Sequence, residues 1–378
     1  MTAQSNPNNR PMPATAGIGR MLEKWLGAPF KLIEFIGYYI MVLPLRTIMR
    51  PLDKLSYKLE GTRLKTVLQH TIFPVTLIAT LYIGFEFVDE DTSLENLAVL
   101  ALLPFAYGII FGPLERLMPF SRKWLEDENG PTVDIMMYVS GAVWTTLSKL
   151  LLVVLSINVI VEMLEPYGHA LWPSELPGAV QVMLFLLAKD FFRYWYHRWL
   201  HEVPFLWRWH AVHHSVERLY WLNGIRSHPI EIIGQALFYA IPTALFQPEP
   251  HIVFIAILMA LSIGIFQHSN IDLKLRFWEY IFSIGDNHRY HHYPIKGIGD
   301  SNYGGEFIVW DILFGTFHNP KDERPSDTIG IGTAPNYPLT WAGLMIAPFI
   351  PDQKRAFGPP PADLEKHELH DPHNAPAE

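Results

Sequence analysis

The chain has 378 residues, 49% hydrophobic and only 17% charged, against about 25% charged in an average soluble protein. That balance points to a membrane protein, and a net charge of -8 leaves no basic surplus for a nucleic-acid partner. With no cysteine, disulfide frameworks, zinc ribbons and thiolate chemistry are excluded.

Residues 1–20 are rich in Pro, Asn, Ala and Thr without an apolar run, and read as a disordered tail, not a signal peptide. Residues 21–130 read as N-terminal membrane helices. Within them, 28–49 are apolar but carry Lys31, Glu34, Pro44 and Arg46, which predicts a helix lying in the membrane surface. Arg50, Lys54, Lys58, Arg63 and Lys65 make 50–66 a basic, inside-type loop. Residues 71–88 and 96–113 are near-spanning apolar runs. The acidic link Asp89, Glu90, Asp91 and Glu95 falls outside by the positive-inside rule, and 114–132, with Arg116, Arg122 and Lys123, falls inside.

Lys149 interrupts the apolar stretch 133–163. A charge in mid-bilayer is costly, so Lys149 is placed at the inner boundary and the span at 150–165. Residues 166–177 lack Lys and Arg and read as outside. The next span, 178–195, runs inward and becomes the helix bearing His197 and His201. Residues 198–229 are dense in Trp and Arg, as suits a membrane–water interface, and the tryptophans read as anchors. Residues 230–247 and 250–267 form an apolar hairpin whose outer turn holds His251, which is not read as a ligand. Residues 269–330 are inside-type, and GIGDSNYGG reads as a loop because it lacks the strand–helix context of a dinucleotide fingerprint. An interfacial helix is expected in 331–350. The Pro-rich tail 351–378, with His367, His370 and His373, has no assigned catalytic role.

Nine of the 17 histidines fall in three clusters and one isolated position: HRWLH at 197–201, HAVHH at 210–214, HRYHH at 288–292, and His268. Residues three and four apart share a helix face, so each cluster can present its imidazoles together. Imidazole suits zinc, copper, iron and nickel. One zinc takes about four ligands, so nine histidines predict two metals, held by His197, His201, His210, His213, His214, His268, His288, His291 and His292. Every cluster lies on the Lys/Arg-rich side. The expected fold is an all-α integral membrane protein, a multi-span helical bundle with a cytoplasmic histidine-rich di-metal cap. Asp190, His228, Asp286 and Asn287 are candidates to support the ligands, with Glu306 and Asp311 behind them.

The three clusters, DFFRYWYHRWLHEVPFLWRWHAVHHS at 190–215, QHSN at 267–270 and NYGGEFIVWDILFGTF at 302–317 together resemble the fatty acid hydroxylase / sterol desaturase superfamily of membrane di-iron oxygenases. The resemblance covers about 180–320 and says little of the first 130 residues. It implies a catalytic membrane domain over 131–330 and two iron ions that use O2 on a C–H bond of a sterol, fatty acyl, ether or amino lipid, giving an alcohol, an alkene or a cleaved ether. Two electrons must then come from a separate reductase or small electron carrier, since the chain has no convincing nucleotide motif and no cysteine for an iron–sulfur cluster. Lacking a retention signal, the chain fits a bacterial inner membrane better than the endoplasmic reticulum. The rival readings are a metal transporter, whose ligands belong near mid-membrane in broken helices, a membrane zinc hydrolase, which needs a general-base carboxylate such as that of H-E-x-x-H, and a purely structural metal protein.

Overall fold

The computed structural model describes residues 29–88, 94–125, 130–154, 163, 171–320, 323–332, 334 and 337–350. The expected N-terminal tail 1–20, the acidic link 89–93, most of 155–170 and the tail 351–378 lie outside the described residues. The described residues are almost wholly helical, with two isolated bridges (Pro119–Ile271 and Phe282–Phe307) and no strand.

The long helices, in chain order, are α1 Pro29–Leu59, α2 Arg63–Phe87, α3 Leu94–Leu117, α4 Gly130–Val154 and α5 Gly178–Glu202. The short α6 Pro204–His214 follows, then α7 Pro229–Phe246 and α8 Pro250–His268. Four of these, α1, α2, α7 and α8, are long and apolar enough to cross a membrane. Their outward faces are apolar too: Ile48, Ile78 and Ile109 (on α3) are exposed by 75%, 69% and 76%, an arrangement that suits hydrocarbon as solvent.

Two boundaries differ from the sequence reading. The basic stretch after 50 is not a loop: α1 continues to Leu59, and only residues 60–62 turn the chain into α2. Arg50, Lys54 and Lys58 are spaced by four and fall on one helix face, and Arg and Lys are good helix formers. A π-helical turn at Tyr38–Val42 precedes Pro44, where proline cannot supply the usual backbone donor. The segment before Lys149 is helical as well, because α4 starts at Gly130 and runs through Lys149 to Val154.

The α7–α8 hairpin turns at Gln247, the left-handed residue that ends α7 (φ 44°), and restarts with Pro250 in the first turn of α8, a position where its missing N–H is harmless. The main core lies among α2, α3, α5 and α8. There Phe73 and Phe111 meet Phe266 edge-on, at centroid distances of 5.0 and 4.8 Å. Buried hydroxyls of Thr80, Tyr107 and Ser262 satisfy one another across α2, α3 and α8. Gly84 allows the close α2–α8 crossing, since a Cβ there would come within 2.8 Å of Ile255. This packing sets the ends of α5 and α8 side by side, where the histidines lie.

Candidate metal centre

Four chain segments deliver the histidines. The last turns of α5 carry His197 and His201, one turn apart. Pro204 opens α6 directly afterwards, and the final turns of α6 hold His210, His213 and His214. α8 ends at His268. A short helix, α9 Asp286–His291, and the residue after it supply His288, His291 and His292. All nine are buried.

They separate into two groups: His197, His201, His210, His214 and His291 in one, His213, His268, His288 and His292 in the other. Within each group the candidate ligand nitrogens lie within 4.8 Å of one another. The groups adjoin, with the rings of His214 and His292 stacked at 4.4 Å.

Hydrogen bonds fix which ring nitrogen faces inward. Nδ1–H donates to the Tyr303 carbonyl from His197 (2.7 Å), to the Ser301 carbonyl from His291 (2.7 Å) and to the Arg226 carbonyl from His213 (3.1 Å). It donates to Glu231 Oε1 from His210 (2.9 Å), to Asn223 Oδ1 from His268 (2.9 Å) and to Asp300 Oδ1 from His201 (3.2 Å). With Nδ1 protonated, Nε2 carries a bare lone pair. Burial, reinforced for several by neighbouring histidines, pushes the imidazole pKa values down, to about 4 for His213 and about 3 for His291. His197, His201, His210, His214, His288 and His292 move the same way. Neutral imidazole is the metal-binding form.

This arrangement makes little sense without a cation. The Nε2 atoms of His197 and His210 are 3.0 Å apart, those of His210 and His214 3.2 Å, while His197 and His210 have already spent their protons on Tyr303 and Glu231. Nε2 of His201 and of His291 is buried with no hydrogen-bond partner. Metal–nitrogen bonds of about 2.0–2.1 Å put neighbouring ligands roughly 3 Å apart, so facing lone pairs at these distances fit a shared ion. The second group has a like spacing of 3.1 Å between Nε2 of His288 and His292.

The flanking residues singled out in the sequence have other partners. Asp190 accepts the backbone N–H groups of Gly305, Glu306 and Phe307 at 2.8, 3.0 and 2.7 Å. His228 caps α7, its Nδ1 accepting from Ile230 N–H, while its other nitrogen faces the Met345 carbonyl. Asp286 pairs with Arg289 (2.7 Å), and Asn287 donates to the carbonyls of Glu279 and Phe282. Glu306 takes both Lys189 and Arg193 at 2.8 Å. Asp311 accepts from the N–H groups of Tyr303 and Gly304. Asp190 and Asp311 thereby brace the loop whose Tyr303 carbonyl orients His197. His251 belongs to neither group.

The groups that do touch the rings, Glu231, Asn223, Asp300 and three carbonyls, were missed in the sequence. Glu231, three residues after His228 and on the first turn of α7, was the one with a readable signal. Such outer partners are typically worth 10–100-fold in metal affinity. Glu231→Ala is expected to weaken metal retention by about that factor, read as metal content after graded chelator; unchanged retention would remove Glu231 from the site.

A cavity of about 350 Å³ reaches both groups, touching His197, His210, His213, His268 and His288. Polar side chains line it as well, among them Arg193, Ser227, Glu231 and Gln235. A separate cavity of about 300 Å³ touches His201, His214 and His291, with Lys296 and Asp300 at its wall.

Residues 182–316, which include all nine histidines, match the fatty acid hydroxylase family model. An ornithine lipid hydroxylase from Rhizobium tropici is 32% identical over 282 residues, 72% of this chain and 82% of that protein. The chain belongs to the fatty acid hydroxylase family. Human alkylglycerol monooxygenase is 34% identical over 137 residues, covering 36% of this chain and 30% of that protein. A rice very-long-chain aldehyde decarbonylase is 28% identical over 151 residues, covering 39% of this chain and 55% of the relative. No solved structure matches. The family and the buried histidine groups together point to metal binding, and the relatives named as hydroxylase and monooxygenase are oxidoreductases acting on lipids.

Proposed function

We propose that this protein is a membrane di-iron oxygenase that uses O2 and external electrons to hydroxylate a C–H bond of a lipid. The observation that supports it best is the sorting of nine buried histidines into two adjoining groups in a chain of this family. His197, His201, His210, His214 and His291 would hold one iron, and His213, His268, His288 and His292 the other. When bound, the pair supplies the O2 chemistry needed to break an unactivated C–H bond, which no side chain provides.

The rest falls to the protein. The carbonyls of Tyr303, Ser301 and Arg226, with Glu231, Asn223 and Asp300, hold six of the nine rings in one tautomer, so much of the site is organised before substrate arrives. The cavity beside Glu231 and Gln235 takes the lipid, and burial of the histidines keeps bulk water from the reacting carbon. Electrons come from a separate reductase or small carrier, which fits a chain without cysteine. The histidine end is cytoplasmic by its share of Lys and Arg, in a bacterial inner membrane. The ornithine lipid hydroxylase, with its long match, makes an amino lipid the first substrate to try.

The test is a lipid profile of membranes holding the protein, supplied with reductant and isotopically labelled O2. A lipid that gains one labelled oxygen supports the reading, together with two irons per chain in the purified protein. Tightly held zinc with hydrolytic turnover would replace it by the hydrolase reading.

A further inference from the structure

A third and larger cavity, of about 750 Å³, lies among α1, α3, α4 and the segment 218–222. It is formed outside 182–316 except for that segment and Asn270. Its walls are chiefly apolar, with Met41, Leu45, Met49, Ile135 and Val139 among them. Met41, Leu45 and Val139 are also exposed, by 53%, 56% and 59%, so the cavity opens on the same apolar exterior that the spanning helices present to lipid.

This cavity and the one of about 350 Å³ at the histidines meet at α4. Pro131, Ile135 and Tyr138 line the large one, and Tyr138, Ala142 and Thr145 the one at the histidines. Their spacing of four, three, four and three places all five on one face of the helix. They trace a stripe about 21 Å long at 1.5 Å per residue, with Tyr138 common to both cavities. The stripe changes character along its length. Beside α1 the surroundings are chiefly apolar, with Arg46, Glu115, Arg116 and Arg218 also at the wall, and near the histidines Arg193, Ser227, Glu231 and Gln235 are added.

Resting on the oxygenase reading, we propose that the two cavities are one lipid groove along α4, with an acyl chain in the large cavity and the polar end of the lipid at the histidines. Apolar chain and polar end each go where burial costs least. The large cavity, at about 750 Å³, is by itself of a size that encloses most of a small ligand. The N-terminal helices thereby select chain length, and oxidation falls near the polar end of the lipid, not deep in its chain.

The test uses the full chain in membranes of cells fed a fatty acid bearing a photoreactive group at its tail, which enters the bulk lipid pool. After illumination, labelled peptides should include Met49 and Ile135 in the wild type. They should lose the label in Ile135→Trp, which fills the cavity, and keep it in Val143→Trp, on another face of α4 and lining neither cavity. Label confined to Ala142, Thr145 or Gln235 would reverse the lipid and overturn the proposal, as would no label in either cavity. In the same membranes, the oxidised lipids made by Ile135→Trp should shift about tenfold toward shorter chains, with metal content unchanged. A labelled cavity with an unchanged chain distribution would mean a resident structural lipid and would also overturn it. If the wild type oxidises no lipid, the oxygenase reading fails, and the labelling still decides the groove.

Discussion

His291→Ala is expected to reduce lipid oxidation to background while leaving the helices inserted in the membrane. His291 donates Nδ1–H to the Ser301 carbonyl and leaves Nε2 buried without a hydrogen-bond partner. Its ring stands 4.6, 4.7 and 4.8 Å from those of His197, His201 and His214. Alanine deletes a candidate ligand nitrogen from the five-histidine group. The loss should therefore exceed the 10–100-fold that follows removal of an outer partner. Metal content per chain should fall as well. The spanning helices α7 and α8 do not depend on His291, so the amount of inserted protein should not change. His228→Ala, outside both groups, is the matched control and should keep its metal. Normal turnover by His291→Ala would sink the two-metal site.

Asp190→Ala should be the most destabilising single change near the site. Its carboxylate is fully buried and accepts three consecutive backbone N–H groups, from Gly305 to Phe307. Each donor left unsatisfied in the interior costs about 1–3 kcal/mol, so the total loss should be about 3 kcal/mol or more. The loop also holds Tyr303, whose carbonyl fixes His197, so metal retention should fall together with the thermal midpoint in detergent. Asp190→Asn, which keeps an acceptor oxygen, should lie between alanine and the wild type. A wild-type midpoint for Asp190→Ala would show that the loop is held by something else.

The division of the nine histidines was half legible. Pairs four apart share a helix face, and the structure keeps each such pair together: His197 with His201, His210 with His214, and His288 with His292. Which pairs share a site was not legible. His213 and His214 are neighbours in the chain yet belong to different groups, as do His291 and His292. Adjacent helical residues point about 100° apart, so one short helix can serve two sites, but only the packing of α5, α6, α8 and α9 says which site each side chain meets.

Asp190 shows where reading along one helix stops. Seven residues before His197, it stands on nearly the same face, which made it a natural partner for that imidazole. In the fold it is taken by residues 305–307, more than a hundred positions later. The partners of the rings are hidden for a related reason. Three are backbone carbonyls, which every residue possesses and no sequence marks, and Asn223 and Asp300 come from a single 3-10 turn and a bend, with no periodic signal.

The sequence by itself determined the membrane class and the helical character, because composition, hydrophobic length and helical spacing are local properties, and its motifs marked the family and the nine histidines that the fold gathers. Tertiary structure alone decided the five-and-four division, the tautomer of the six rings whose Nδ1 meets an acceptor and the two cavities along α4. Those depend on which distant segments a buried polar atom or an apolar face finally meets, and burial forces every such group to find a partner wherever the fold supplies one.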